Sequence, residues 1–218
     1  MSTYVDIFSK LLPGALVTIE ILAASAVLAF AVALIAGLGR VSKFAFIRKV
    51  SAFYVELFRG TSLLVQLFWV FFALPAFGIQ FTPFLASVVA LGLNYGAYGS
   101  EVVRGAILAI PKGQTEASIA LNMTHFQRMR LVILPQAFRM MLPGFGNISI
   151  ELLKGTSLVS LITLTDLTYK GLILQNANIS YTMPVFTTLL IVYFIIALPL
   201  IITAKKLEKR YAKGVANA

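Results

Sequence analysis

Four stretches of this chain, Ile21–Gly39, Gly60–Phe81, Thr82–Ser100 and Thr182–Ala204, contain no charged residue. Each is as long, or nearly as long, as the roughly 17 to 25 residues that an α-helix needs to cross hydrocarbon. Hydrocarbon offers no water to backbone N–H and C=O groups, so only helices or a closed barrel can span it. The apolar runs are continuous and do not alternate with polar residues, which selects helices. With 59% hydrophobic residues and a mean hydropathy of +0.91, the chain has more apolar surface than a soluble domain of this size buries. The fold class expected is an all-α integral membrane protein.

The placement of charge sets the expected topology. A formal charge of +10 in a soluble chain would point to nucleic acid, but basic residues beside apolar spans are topology signals, so no nucleic acid is expected. Arg40, Lys43, Arg48 and Lys49 mark the first loop as cytoplasmic; Arg104, Lys112, Arg128, Arg130 and Arg139 mark the third; Lys205, Lys206, Lys209, Arg210 and Lys213 mark the tail. The connection Ala76 to Phe84 has no charge, and Tyr169 to Met183 has only Lys170. Five transmembrane helices, N-terminus out and C-terminus in, satisfy this pattern. The expected spans are Leu11–Gly39, Phe53–Leu74, Phe84–Val103, Ile148–Thr168 and Val185–Ala204. The opening MSTYVDIFSK has no basic n-region and is expected to remain as part of the first helix. There are no cysteines and one histidine, His125, which excludes thiolate and histidine-cluster metal sites.

Polar residues within these spans mark candidate sites, because they are costly against lipid. ELFRGTSLLV, Glu56 to Val65, recurs as ELLKGTSLVS, Glu151 to Ser160. On continuous helices, Glu56, Arg59, Ser62 and Gln66 share one face, as do Glu151, Lys154, Ser157 and Thr165. The glutamates are placed to pair with the cations three residues on, and Gly60 and Gly155 to admit a neighbouring helix. Thr61 and Thr156 point elsewhere and are expected to bond to backbone. On the third span Ser87, Asn94, Tyr98, Glu101 and Gly105 form another stripe, with Glu101 level with Arg59 and Lys154 and able to pair with either. Two readings stand: a snorkelling cation on a small-residue packing face, or a lining or inner gate of a pathway. Glu20 and Asp166 are weaker candidates near the outer ends of helices.

The third loop is long enough to fold on its own. IPKGQTEASIALNMTHFQRMRLVILPQAF reads as two short helices around a bend. Thr115 is placed as an N-cap with Glu116 in the first turn. Asn122 is placed as a left-handed stop. Thr124 and Gln127 open the second helix as a capping box, and Pro135 is placed to end it. The apolar face of Ile119, Ala120 and Met123 is too small for a core. It suits either a groove on a partner or a face packed on the bundle or the lipid interface.

EASIALNMTHFQRMRLVILP resembles the EAA loop of ABC importer permeases. Glu116, Ala117, Leu134 and Pro135 match at the family's spacing, while Ser118 stands for Ala, Asn122 for Gly and Val132 for Ile. RGTSLLVQLFW, EVVRGAILAIPKGQTEA, LPQAFRMMLPGFGN and KGTSLVSLITLTDL resemble the polar amino acid uptake branch of these permeases. The resemblance implies a type I ABC importer permease bundle in a bacterial inner membrane. It implies a single permease domain, 1–218, with a cytoplasmic coupling loop at about 104–147. The coupling residues would be Thr115, Glu116, Ala117, Ser118, Ile119, Asn122, Leu134 and Pro135. The implied partners are an ABC ATPase subunit dimer, a second permease subunit, identical or homologous, and an extracytoplasmic solute-binding protein. ATP and Mg would bind the ATPase subunits and not this chain, which has no Gly-Lys dipeptide and hence no phosphate-binding loop of that kind. The chain is therefore expected to be no enzyme. A self-contained secondary transporter or channel is the alternative; it is disfavoured because the two GTSL segments run in the same direction and few ionisable residues lie deep.

Overall fold

The computed structural model describes residues 2–212, and the regular structure among them is helical throughout. The elements are α1 (Ser2–Arg40), α2 (Ala45–Gly60), α3 (Leu63–Phe68), α4 (Pro83–Leu108), α5 (Lys112–Ala120), α6 (His125–Arg128), α7 (Leu134–Gly155), α8 (Leu167–Ala177) and α9 (Thr182–Ala212). A π turn, Trp69–Ala73, and a 3₁₀ turn, Leu74–Phe77, extend α3. A second π turn, Met129–Ile133, joins α6 to α7, and a 3₁₀ segment, Thr156–Ile162, extends α7. Lys213 of the basic tail lies outside the described residues.

Two helices, α1 and α9, are long and apolar enough to cross a membrane, or four if each of two bent pairs counts as one span. At 1.5 Å per residue the 39 residues of α1 reach about 58 Å, well beyond a hydrocarbon core of about 30 Å. Both helices expose large apolar side chains, among them Val5, Val27 and Ile35 on α1 and Leu190 and Phe194 on α9. In water such faces are unfavourable; against acyl chains they cost nothing.

The centre of the bundle is α4, which packs along α1 and also against α7 and α2. Small residues permit that approach: a Cβ on Gly96 would lie 2.8 Å from Val32, and one on Gly99 2.7 Å from Ala33. Ala86, Ala90, Leu91, Ala97 and Val103 are fully buried along the same helix. Dispersion contacts between small residues are the main attraction between helices in lipid, where the hydrophobic effect no longer discriminates.

The second expected span, Phe53–Leu74, is not one helix. It breaks after Gly60 and the two halves meet at 103°. The third span runs on from Val103 to Leu108, and the fourth starts much earlier than Ile148, since helix continues from His125 to Ile162. That same span is then interrupted before α8, with a bend of 52°. Pro135 does not end the second short helix: it sits in the first turn of α7, directly after the π turn. The wider turn accommodates a residue that has no N–H and crowds the carbonyl four residues back.

At the second break, Thr163 is left-handed (φ 63°) and Asp166 caps α8, accepting from Thr168 N at 3.2 Å and Tyr169 N at 2.9 Å. Asp166 is fully buried, so its role here is to satisfy a helix end inside the bundle. Thr18 of α1 accepts from Leu167 N at 3.1 Å, and Thr168 and Tyr193 hydroxyls meet at 2.8 Å, fixing α8 to α1 and α9. Thr165 falls between the two helical pieces and shares no helical face with Glu151. Glu20 is exposed on α1.

Of the loop features, the Thr124–Gln127 capping box forms in both directions, and Asn122 adopts φ 54° as a left-handed stop. Thr115 is not the N-cap of α5; Pro111 holds that position and Thr115 lies within the helix. Because Asn tolerates positive φ and a β-branched residue does not, Asn122→Val is expected to destabilise the loop by about 1–3 kcal/mol while Asn122→Gly leaves it unchanged. Limited proteolysis of the detergent-solubilised protein, comparing cleavage rates between Leu108 and Pro135, measures the difference.

Candidate functional site

The break in the second span creates polar demands that build the site. Thr61 (φ −119°, ψ 153°) and Ser62 (φ −69°, ψ 133°) are extended, so the last carbonyls of α2 have no N–H four residues on. The Thr61 hydroxyl donates to Leu57 O at 2.7 Å. Gln66, one turn into α3, turns its amide back and donates to Phe58 O at 2.9 Å and to Thr61 Oγ1 at 2.7 Å. Asn94 of α4, nearly fully buried, donates to Phe58 O at 3.1 Å and to Gln66 Oε1 at 3.0 Å. Three side chains thereby replace the missing helical bonds and lock the bend against α4. Gln66 and Asn94 therefore meet through this bend, and not through the shared helical face expected for Glu56, Arg59, Ser62 and Gln66.

The second GTS copy does related work with different geometry. Thr156 donates to Leu153 O at 2.7 Å, Ser157 to Lys154 O at 2.8 Å and Ser160 to Ser157 O at 2.8 Å, while the helix tightens to 3₁₀. The backbone bonds expected for Thr61 and Thr156 are both present. Gly155 admits the ring of Tyr95, whose hydroxyl donates to Glu151 O at 2.9 Å. Gly60, by contrast, has no heavy atom within 4 Å of where a Cβ would sit.

Between the first break, α4 and the end of α7 lies a cleft of about 460 Å³, lined by Thr61, Ser62, Asn94, Tyr98, Glu151 and Lys154. Glu151 and Lys154 are both exposed, and neither forms an ion pair among the described residues. The expected pairs Glu56 with Arg59 and Glu151 with Lys154 do not form there. Ser157 turns away from the cleft and lines an apolar recess with Tyr193 and Phe194, which Lys154 also borders.

A cluster of charge lies one to two turns along α4 from the cleft. Glu101 accepts from Arg40 and Arg59 on one carboxylate oxygen, the latter at 3.0 Å, and from Arg104 Nε at 3.0 Å on the other. The Arg59 guanidinium also sits 5.4 Å from the centre of the Tyr98 ring, a cation–π distance. Of the two partners expected for Glu101, Arg59 is present and Lys154 is not. Arg40 was missed because it lies beyond the stripes, at the C-terminal end of α1; its position opposite α4 is a matter of packing. Arg104 is three residues from Glu101 and was readable as a helical pair.

In the loop, Glu116, Ala117 and Ile119 are exposed on α5, whereas Ser118 is 2% exposed and donates to Gln114 O at 2.5 Å and Thr115 O at 3.0 Å. The four residues thus divide between an outward face and an inward anchor. The Gln136 amide, in the first turn of α7, donates to Gln114 Oε1 at 3.3 Å, and α5 rests on the π turn before α7. Leu134 and Pro135 belong to that first turn, at the start of the helix that bears Glu151 and Lys154.

Residues 11–213 match the family described as "Binding-protein-dependent transport system inner membrane component". A probable amino-acid ABC transporter permease of Sinorhizobium fredii is 47% identical over 201 residues, covering 89% of this chain and 84% of that protein. The L-cystine transport system permease of Bacillus subtilis is 39% identical over 94% of this chain and 87% of its own length. The glutamine transport system permease of Escherichia coli is 36% identical over 92% of each. Among solved structures, an amino acid ABC transporter crystallised with histidines superposes with a TM-score of 0.86 at 34% identity, covering 96% of both chains. A chain of the MetNI methionine ABC transporter, at 22% identity and a TM-score of 0.77 over 92% of this chain and 95% of that one, shares the fold.

Removing one donor to a buried carbonyl costs about 1–3 kcal/mol. Asn94→Leu and Gln66→Leu are each expected to lower thermal stability of the solubilised protein by that order. The double variant should lose clearly less than the sum, since Asn94 donates to Gln66 Oε1 and either single change already breaks that bond and strands the other amide. A melting series on the four proteins checks this; strict additivity would show that the two amides do not act together.

Proposed function

Because this chain belongs to the family of binding-protein-dependent transport system inner membrane components, and is thus a non-enzymatic permease subunit of an ABC importer, we propose that its cargo is a polar amino acid or a similar small zwitterion. Relatives that carry amino acids, cystine and glutamine support that class. The observation that carries it is the cleft at the first helix break, where one unpaired carboxylate, Glu151, and one unpaired ammonium, Lys154, stand among hydroxyls and amides. Such a set complements the ammonium and carboxylate that every amino acid presents, with Asn94, Ser62 and Tyr98 beside them.

The chain crosses a bacterial inner membrane five times, with α1, the bent α2–α3 unit, α4, the α7–α8 unit and α9 as crossings, N-terminus out and C-terminus in. The basic residues of the first and third connections and of the tail then all face the cytoplasm. Residues 1–218 act as one permease domain, and the segment at about 104–147 couples it to an ATPase dimer. Glu116, Ala117 and Ile119 form the docking face, while Thr115 and the buried Ser118 complete the coupling helix on its inner side, where Gln114 accepts from Gln136 of α7. The bend at Asn122 and the turn at Leu134 and Pro135 transmit its displacement to α7. ATP and Mg reside on the ATPase subunits. A second permease subunit, the same chain or a homologue, completes the pathway, and an extracytoplasmic binding protein delivers the solute.

Along that pathway Arg59, Ser62, Gln66, Asn94, Tyr98, Glu101, Glu151, Lys154 and Ser157 have different parts. Ser62, Asn94, Tyr98, Glu151 and Lys154 face the solute; Gln66 holds the backbone of the first break and Ser157 the turn where α7 tightens to 3₁₀. Glu101, with Arg59, ties α2 to α4 and Arg40 ties α1 to the same carboxylate, forming an inner latch that must part for the bundle to open. Attraction between such partly exposed charges is modest, which suits a contact made and broken in each cycle.

Two outcomes test the assignment in proteoliposomes with the ATPase and binding protein present. Ala117 is exposed in this chain, so Ala117→Asp should leave insertion and expression intact, yet place an unpaired charge in the docked interface, cost several kcal/mol there and uncouple hydrolysis from transport. Loss of expression would instead mean that the loop serves folding. Glu151→Gln and Lys154→Met each remove one charge-assisted bond of about 1.5–3 kcal/mol and should slow uptake roughly tenfold or more with assembly unchanged. Wild-type uptake in both variants would move the solute site elsewhere.

A further inference from the structure

Away from the cleft, α1, α7 and α9 enclose a groove of about 300 Å³ whose walls are Phe30, Leu34, Phe138, Leu142, Phe145 and Leu207. Its two hydroxyls are already satisfied, Ser149 by Phe145 O at 2.8 Å and Thr203 by Pro199 O at 2.7 Å and Leu200 O at 3.0 Å. Nothing inside it therefore calls for a polar ligand. The groove is not a gap that tighter packing would close, because α7 and α9 are already in contact: a Cβ on Gly146 would lie 2.8 Å from that of Ala204. Phe30 and Phe145 meet edge to face at 5.0 Å and make a rigid base.

Length and charge identify the occupant. From Phe138 to Ser149 the wall on α7 extends about 16 Å at 1.5 Å per residue, close to half of a hydrocarbon core of about 30 Å, which is one leaflet. At one end the rings of Phe138 and Tyr211 meet edge-on at 6.5 Å, and a phenol prefers the headgroup region. Arg139 follows Phe138 directly, and Lys206 and Arg210 flank Leu207 and Tyr211 on α9; all three cations are exposed. Glu208 is a carboxylate on the same turn, half-buried on the side of α9 that faces Gly146. An apolar slot one leaflet deep, with three exposed cations adjacent in sequence to Phe138, Leu207 and Tyr211 at its end, matches an acyl chain joined to a phosphate.

We infer that this groove holds an acyl chain of an anionic phospholipid of the cytoplasmic leaflet, its phosphate set among Arg139, Lys206 and Arg210. The choice of leaflet rests on the orientation given under Proposed function; the groove itself does not. An anchored lipid there would wedge α7 against α9 from the outside, on the helix that carries the cleft residues Glu151 and Lys154, without touching the cleft.

The test uses the assembled transporter, purified in mild detergent and then exposed to phosphatidylglycerol or phosphatidylcholine, with retained lipid measured by native mass spectrometry. Wild type should keep phosphatidylglycerol over phosphatidylcholine by about tenfold or more, the factor that three partly screened contacts supply. Thr203→Trp, which fills the groove from its exposed rim, should abolish retention of both. The triple variant Arg139→Gln, Lys206→Gln, Arg210→Gln should erase the preference alone, and it decides the matter if the tryptophan variant does not assemble. Wild-type retention in an assembled Thr203→Trp transporter, or a cross-link from Thr203→Cys to a second copy of this chain, would overturn the lipid site. Since the chain has no cysteine of its own, Lys206→Cys separates the two claims. Labelling from the outer face sinks the orientation, and lipid loss with labelling from the inner face supports both.

Discussion

A helix broken inside hydrocarbon must find a partner for every carbonyl it releases, and the arrangement of this bundle follows from how that demand is met. At Gly60 to Ser62 the released groups are Leu57 O, Phe58 O and Thr61 O, and the donors are a hydroxyl from the break itself and amides from Gln66 and Asn94. Asn94 must therefore lie on the face of α4 that meets the break. That fixes the rotation of α4, and with it the positions of Tyr98 one turn further on and Glu101 beyond it. Tyr95, on the adjacent face, is aimed at α7 and the small residue Gly155. The polar cleft is a by-product of the same requirement, since a sharp bend in one helix opens space beside its neighbours.

The charges divide into two groups with different physics. Glu101 and its three arginines satisfy one another, hold three helices at one end of the bundle and carry a net positive charge. Glu151 and Lys154 are left without such partners in the described chain, although the sequence sets them three residues apart, as it does Glu101 and Arg104. The difference lies in what surrounds them: Arg104 and Glu101 point into a crowded face where other cations converge, whereas Glu151 and Lys154 border open space. Unpaired charge at the edge of a polar cleft in a membrane protein has little structural reason to persist.

Much was readable from residues alone. The apolar runs gave helices, the capping box at Thr124 and Gln127 and the left-handed Asn122 formed as local rules required, and the hydroxyls of Thr61 and Thr156 went to backbone. The failures share a cause. Phe53 to Leu74 reads as one helix in sequence because hydropathy is blind to a break whose freed groups are satisfied by side chains brought in by the fold. Pro135 reads as a stop because a π turn that relieves it cannot be read from composition. The stripe Glu56, Arg59, Ser62 and Gln66, and the separate one ending at Thr165, fail for the same reason, since helical periodicity holds only where the helix is unbroken.

Sequence by itself determined the solvent of this protein, its helical class and its family, because apolar length, basic clusters and short motifs act locally or through the bilayer. Tertiary structure decided where the helices break, which carboxylate gathers the arginines and which two charges border the cleft without an ion-pair partner among the described residues. Those outcomes depend on side chains from α1, α4 and α7 meeting in space, and the bilayer makes each such meeting obligatory by withholding water from any polar group that misses its partner.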